Sequence, residues 1–137
     1  METNEKSVVR RFYEIIGSGR PETLDEVVAA DMAGHAGAGA DLTELKESLA
    51  SFLAAFPDLT PDIRHLVQED DVVSAWLFYT GTHEADFAGV PASGRHVKFA
   101  EWDLMRVRDG KIVELTQYCD LFTIMSQIGA LPTAAPA

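Results

Sequence analysis

Asp120 closes the run Gln117-Tyr118-Cys119-Asp120-Leu121-Phe122, where aromatic and aliphatic neighbours would desolvate a carboxylate and raise its pKa. A carboxylate tuned in this way acts as a general base at neutral pH. The same position suits an N-cap for a helix opening at Leu121, and the residues alone leave both roles open. Glu101 and Asp103 flank Trp102. Side chains alternate along a strand, so the two acids share one face and the tryptophan takes the other. Either face can line a cavity, although solvated outward acids are the commoner arrangement on an antiparallel sheet. His35 is the lone ionisable group between Gly34 and Ala40. It either faces Asp120 across a cavity or is simply solvated. Cys119 has the opposite parity from Asp120 and is expected in the core.

Other chemistries find little support. Gly17-Ser18-Gly19 lacks the continuation of a nucleotide-binding fingerprint. His35, His65, His83 and His96 fall on different elements, so neither a metal nor a cofactor is expected. No serine lies in a nucleophile elbow. The net charge of −11 disfavours nucleic acid and anionic membrane as partners. One cysteine cannot form an internal disulfide, and no apolar run approaches the roughly 18–20 residues of a membrane span. A cytoplasmic location is expected.

The elements that would position these groups follow from hydrophobic period and punctuation. Val8, Val9, Phe12, Ile15 and Ile16 mark a helix over Asn4 to Ile16. Pro21 opens a second short helix with Leu24, Val27 and Val28 as its stripe, and Gly34 to Ala40 reads as a loop or short irregular strand. Asp41-Leu42-Thr43-Glu44 resembles a capping box, followed by Leu45, Leu49, Phe52, Leu53 and Phe56. The period then changes to two. Strands are predicted over Ile63 to Gln68, Val72 to Thr82, His96 to Val107 and Lys111 to Asp120, with tight turns at Glu69-Asp70-Asp71 and Arg108-Asp109-Gly110. Leu121 to Ile128 forms a last helical turn or two. Residues 1–130 are expected to be a single α+β domain with helices on one face of a curved sheet, and residues 131–137 a disordered tail.

Four segments carry a family resemblance: Phe56-Pro57-Asp58-Leu59, Gly81-Thr82-His83, Phe87 to Arg95, and Asp109-Gly110-Lys111-Ile112-Val113-Glu114. Together they resemble the SnoaL-like polyketide cyclases of the nuclear transport factor 2-like superfamily, over roughly residues 8 to 129. The resemblance implies a cone-shaped α+β barrel, its curved and mostly antiparallel sheet wrapped by N-terminal helices around an apolar pocket. It also implies a homodimer or homotetramer. Asp120 matches the family's acid/base aspartate, and Asp31 to His35 resembles its aspartate and histidine before the pocket loop. The sequence departs from the family where Ala36-Gly37-Ala38-Gly39 follows the histidine, and where Trp102, Asp103 and Arg106 stand in a strand that carries a histidine in some cyclases. The implied function is cofactor-independent aldol ring closure of an aromatic polyketide in secondary-metabolite biosynthesis. Asp120 would be general acid/base, His35 an oxyanion donor, and Tyr13, Phe52, Trp76, Trp102 and Tyr118 the wall stacked on the substrate. Hydroxylation or epoxide opening, with Glu101, Asp103 or Arg106 more prominent, is the alternative enzyme. A non-catalytic binding or dimerisation module is the alternative from another class.

Overall fold

Val8, Val9, Phe12, Ile15 and Ile16 form the buried stripe of α1, Asn4–Gly17, in a computed structural model that describes residues 1–131. Thr3 caps this helix by accepting from the Lys6 N–H. Most of the tail expected over 131–137 lies outside the described residues. Pro21–Glu26 is a 3₁₀ turn and not a second α-helix. Val28, expected within that helix, instead opens strand β1, Val28–Ala36. Its alanines and Gly34 have weak strand propensity, and it is held by the parallel pairing that Val28 and Ala33 to Ala36 make with β5.

Helix α2, Leu42–Ala55, starts at Asp41, whose carboxylate accepts from the Glu44 N–H at 2.9 Å. The Glu44 carboxylate turns to the Ala40 N–H, so the reciprocal bond reaches one residue further back than in a capping box. Strands β2, Thr60–Glu69, β3, Val72–Thr82, β4, His96–Arg108, and β5, Lys111–Cys119, run antiparallel to one another. Asp109 and Gly110, with φ of 51° and 75°, make the β4–β5 turn in the left-handed conformation that short hairpins favour.

The sheet order is β1-β5-β4-β3-β2, with β1 and β2 as free edges. The expected cone is therefore an open curved sheet and not a closed barrel. Helix α1 packs across β2 to β5, α2 packs on β1 and the 3₁₀ turn, and α3, Leu121–Gln127, packs on β4. Val73, Ala75, Leu77 and Tyr79 of β3 and Val97, Phe99, Met105 and Val107 of β4 are buried on the helix-facing side. That parity decides every other residue of β4. Among the described residues no helix is long and apolar enough to cross a membrane.

Candidate active site

Between α2 and the inner face of the sheet lies a cavity of about 260 Å³. Leu49 and Phe52 of α2 form one wall, with Leu59, Tyr79 and Phe99 opposite. Tyr79 stacks on Phe99 at 5.6 Å between ring centroids, and Phe52 lies 6.1 Å from Phe99. Gly37, Cys119 and Leu121 complete the lining beside three polar side chains, Ser48, Glu101 and Gln117. Such a cavity takes an apolar, preferably flat, molecule and offers it few but specific polar contacts.

Glu101 is the one carboxyl among these lining residues. Its face follows from Val97, Phe99, Met105 and Val107: period two places Glu101 and Asp103 inside with them and Trp102 outside. The commoner expectation of solvated outward acids is thus reversed. Asp103 is 2% exposed and receives the Tyr13 hydroxyl at 2.5 Å on Oδ2, with the Gln117 amide at 3.5 Å on the same oxygen. Asp103 Oδ1 is buried with no donor among the other residues. The Glu101 carboxyl lies within hydrogen-bonding reach of Asp103. Burial, then the Asp103 charge, push Glu101 well above the usual carboxylate range, and burial raises Asp103 to about 6. Burial, followed by the same acids, also raises Tyr13 and Tyr79 well above 10 and Cys119 to about 11.

The remaining anticipated site residues disperse. Asp120 is exposed and caps α3, accepting from the Thr123 N–H at 3.1 Å and the Thr123 hydroxyl at 2.6 Å. Those two bonds hold its carboxyl below the ordinary range, which corrects the expected upward shift. It stands between two lining residues, Cys119 and Leu121. His35 is exposed on β1, and its ionic neighbour is Glu114 at 3.6 Å, not Asp120. Phe52 lines the cavity, whereas Tyr13 is buried behind it against Asp103. Trp76, Trp102 and Tyr118 have outer-face parity and lie opposite the lining residues; Trp102 and Tyr118 are 55% and 67% exposed. There Trp102 stacks on Trp76, which stacks on His65, with ring centroids 5.5 Å apart in both pairs. Arg106 pairs with Asp71 at 2.6 Å on that same side.

Tyr79, Phe99, Ser48 and Gln117 were not singled out from the sequence. Strand parity marks Tyr79 and Phe99. Gln117 was hidden by the register shift between β4 and β5, which changes the parity of β5 between Ile112 and Leu115. Among the described residues no three His, Cys, Asp or Glu side chains gather as a metal site requires.

Fold and cavity together define a curved α+β sheet with helices closing an internal small-molecule pocket, the nuclear transport factor 2-like architecture. Residues 6–128 match the family profile of the SnoaL-like polyketide cyclases, and the chain belongs to that family. None of the curated proteins searched matches it. Among solved structures it is similar to IdmH, a candidate polyketide cyclase from Streptomyces antibioticus, with 33% identity and a TM-score of 0.83 over 91% of this chain and 98% of that one. TsrD from Streptomyces laurentii shares 22% identity at a TM-score of 0.84, covering 96% of this chain and 99% of its own. AclR, a candidate hydroxylase from Streptomyces galilaeus, shares 21% identity at 0.87, covering 96% of this chain and 84% of its own. The last two likenesses speak to fold alone.

Proposed function

We propose that the protein is a cofactor-independent cyclase that closes a ring of an aromatic polyketide by intramolecular aldol addition. The observation that carries this reading is an apolar, aromatic-walled cavity with a single carboxyl in its lining, Glu101. An aldol closure needs little more. A proton leaves a carbon between two carbonyl groups, the carbanion is delocalised into those carbonyls, and the new carbon–carbon bond leaves an alkoxide that takes up a proton. The cavity contributes orientation by holding both reacting carbons of one molecule in near-attack geometry.

In this reading Asp120 is the base. Its carboxylate is ionised at neutral pH and lies in sequence between Cys119 and Leu121, which line the cavity, and engaging substrate requires it to give up its bonds to Thr123. His35 acts only through its carbonyl, which accepts the Ala38 N–H at 3.3 Å beside Gly37. The protein works in the cytoplasm as a homo-oligomer, and the exposed row of Trp102, Tyr118 and Leu104 is the surface that supports assembly.

The test incubates purified protein and its Asp120→Asn variant with a tricyclic anthraquinone polyketide ester in buffer without cofactors, followed by chromatography and mass spectrometry. The expected result is an isomer of unchanged mass, formed about a hundredfold more slowly by a folded variant. A product heavier by one oxygen would replace the aldol reading with hydroxylation. Binding without turnover would replace it with a binding role.

A further inference from the structure

At the cavity wall, four side chains from three elements converge: Glu101 of β4 and Gln117 of β5, which line it, and Tyr13 of α1 and Asp103 of β4 behind them. Both donors in this group, the Tyr13 hydroxyl and the Gln117 amide, are aimed at the same oxygen, Asp103 Oδ2. Donation by Tyr13 and Gln117 favours the ionised form of Asp103. The other oxygen, Oδ1, is buried and has no donor. An orphaned buried acceptor is costly, and the group within reach that supplies a donor is Glu101 in its protonated form. Among the described residues no lysine or arginine pairs with either acid; the titratable groups facing the pair are Tyr13, Tyr79 and Cys119, all uncharged at neutral pH.

We propose that Glu101 is held as a neutral carboxylic acid that donates a hydrogen bond, and then a proton, to a carbonyl oxygen of the molecule in the cavity, with Asp103, Tyr13 and Gln117 as its positioning residues. The two donors fix the negative charge on Asp103, and Asp103 keeps the proton on Glu101. Of the four, Glu101 and Gln117 line the cavity and Glu101 is the one carboxyl there, so its proton, held on Asp103 Oδ1 in the free protein, turns to the substrate oxygen when a carbonyl enters. The assignment rests on the cyclase reading and adds the acid that reading lacks. As the new carbon–carbon bond forms, the Glu101 O–H bond breaks, the proton goes to the alkoxide oxygen, and the electron pair stays on Glu101. Asp120 gains the carbon-bound proton and loses it to water, Glu101 takes one from water, and the cycle is proton-neutral.

The experiment has two arms. In the first, carbon-13 NMR follows the side-chain carboxyls of the wild type, Glu101→Gln and Asp103→Asn through a pH titration. Glu101 is expected to keep its proton well above the pH at which the other glutamates lose theirs, and to ionise at lower pH in Asp103→Asn, where the neighbouring charge is gone. Titration of Glu101 with the exposed glutamates, or indifference to Asp103→Asn, overturns the proposal. In the second arm, infrared spectroscopy reads the carbonyl stretch of bound 9,10-anthraquinone. A lower frequency in the wild type than in Glu101→Leu supports donation to the ligand, and equal frequencies overturn it.

Turnover then separates this proposal from its parent. If the wild type closes the ring, Glu101→Gln should lower kcat about a hundredfold with KM little changed. The alkaline limb of the pH profile should move to lower pH in Asp103→Asn. An unchanged kcat in a folded Glu101→Gln overturns the acid role. If no variant and no wild type turns over while the carbonyl shift persists, the cyclase reading fails and Glu101 stands as a donor to a bound carbonyl.

Discussion

Removing the Asp120 side chain takes away the cap of α3 as well as the proposed base, and the two losses have separate signatures. Asp120→Ala should cost about 0.5–2 kcal/mol in urea unfolding at pH 7. The folded-state pKa of Asp120 is depressed, so the stability it contributes is present above its unfolded pKa and is lost as pH falls through the folded value. The gap between wild type and variant should therefore narrow in unfolding measured near pH 3. Glu101 behaves in the opposite sense. Its folded pKa is raised, so the unfolded chain gives up the proton first and stability falls as pH rises from the ordinary glutamate range upward. Glu101→Gln should lose ground to the wild type at pH 4 and gain it at pH 8, read as a crossing of the two Tm-against-pH curves. The inward face of Glu101 follows from the parity of Val97, Phe99, Met105 and Val107, a signal that the expectation of solvated outward acids passed over. The partnership with Tyr13 has no such signal, because nothing in a period-two pattern says which helix residue lies across from Asp103. Nor does the sequence around Asp120 reveal that Thr123 satisfies its carboxylate and leaves it in water.

At the scale of elements, the hairpins β2–β3 and β4–β5 were readable because their alternation and turn residues are local. Strand β1 was not. Val28 to Ala36 has little strand propensity, and its pairing partner is β5 at the far end of the chain. What this segment requires is closeness. A Cβ on Gly34 would lie 2.0 Å from the Gly39 carbonyl oxygen, and one on Gly37 would lie 3.1 Å from that of Gln117, whose carbonyl accepts the Gly37 N–H. Gly34→Ala must therefore open the loop, and it should cost about 1–3 kcal/mol in urea unfolding, as overpacked sites do. Gly37 is a cavity residue, so ligand affinity should fall along with stability. A Gly34→Ala protein of wild-type stability would show that the loop relaxes without loss.

The molecule as a whole presents two unlike faces. One encloses the cavity. The other exposes Trp102, Tyr118 and Leu104 around the stacked rings of Trp76 and His65. Large aromatic groups gathered on an open sheet are the kind of surface that association covers. Sedimentation velocity should give the wild type a multiple of 15.0 kDa, and Trp102→Glu should shift it toward that single-chain mass. A wild type that sediments as a monomer removes the sheet face as an interface.

The bond from Tyr13 to Asp103 joins positions 90 residues apart, and β1 waits for β5 before it has a neighbour in the sheet. As the domain is made, α1 meets the 3₁₀ turn and β2 early, and its contacts with β4 and β5 close last. Long-range pairings of this kind slow folding, and they order its events. The two acids of β4 leave water only when α1 and β5 have both docked, so a proton held by Glu101 reports that these elements have assembled. A kinetic intermediate lacking α1 would titrate its carboxyls like a peptide, and the return of the raised value during refolding would time the final step.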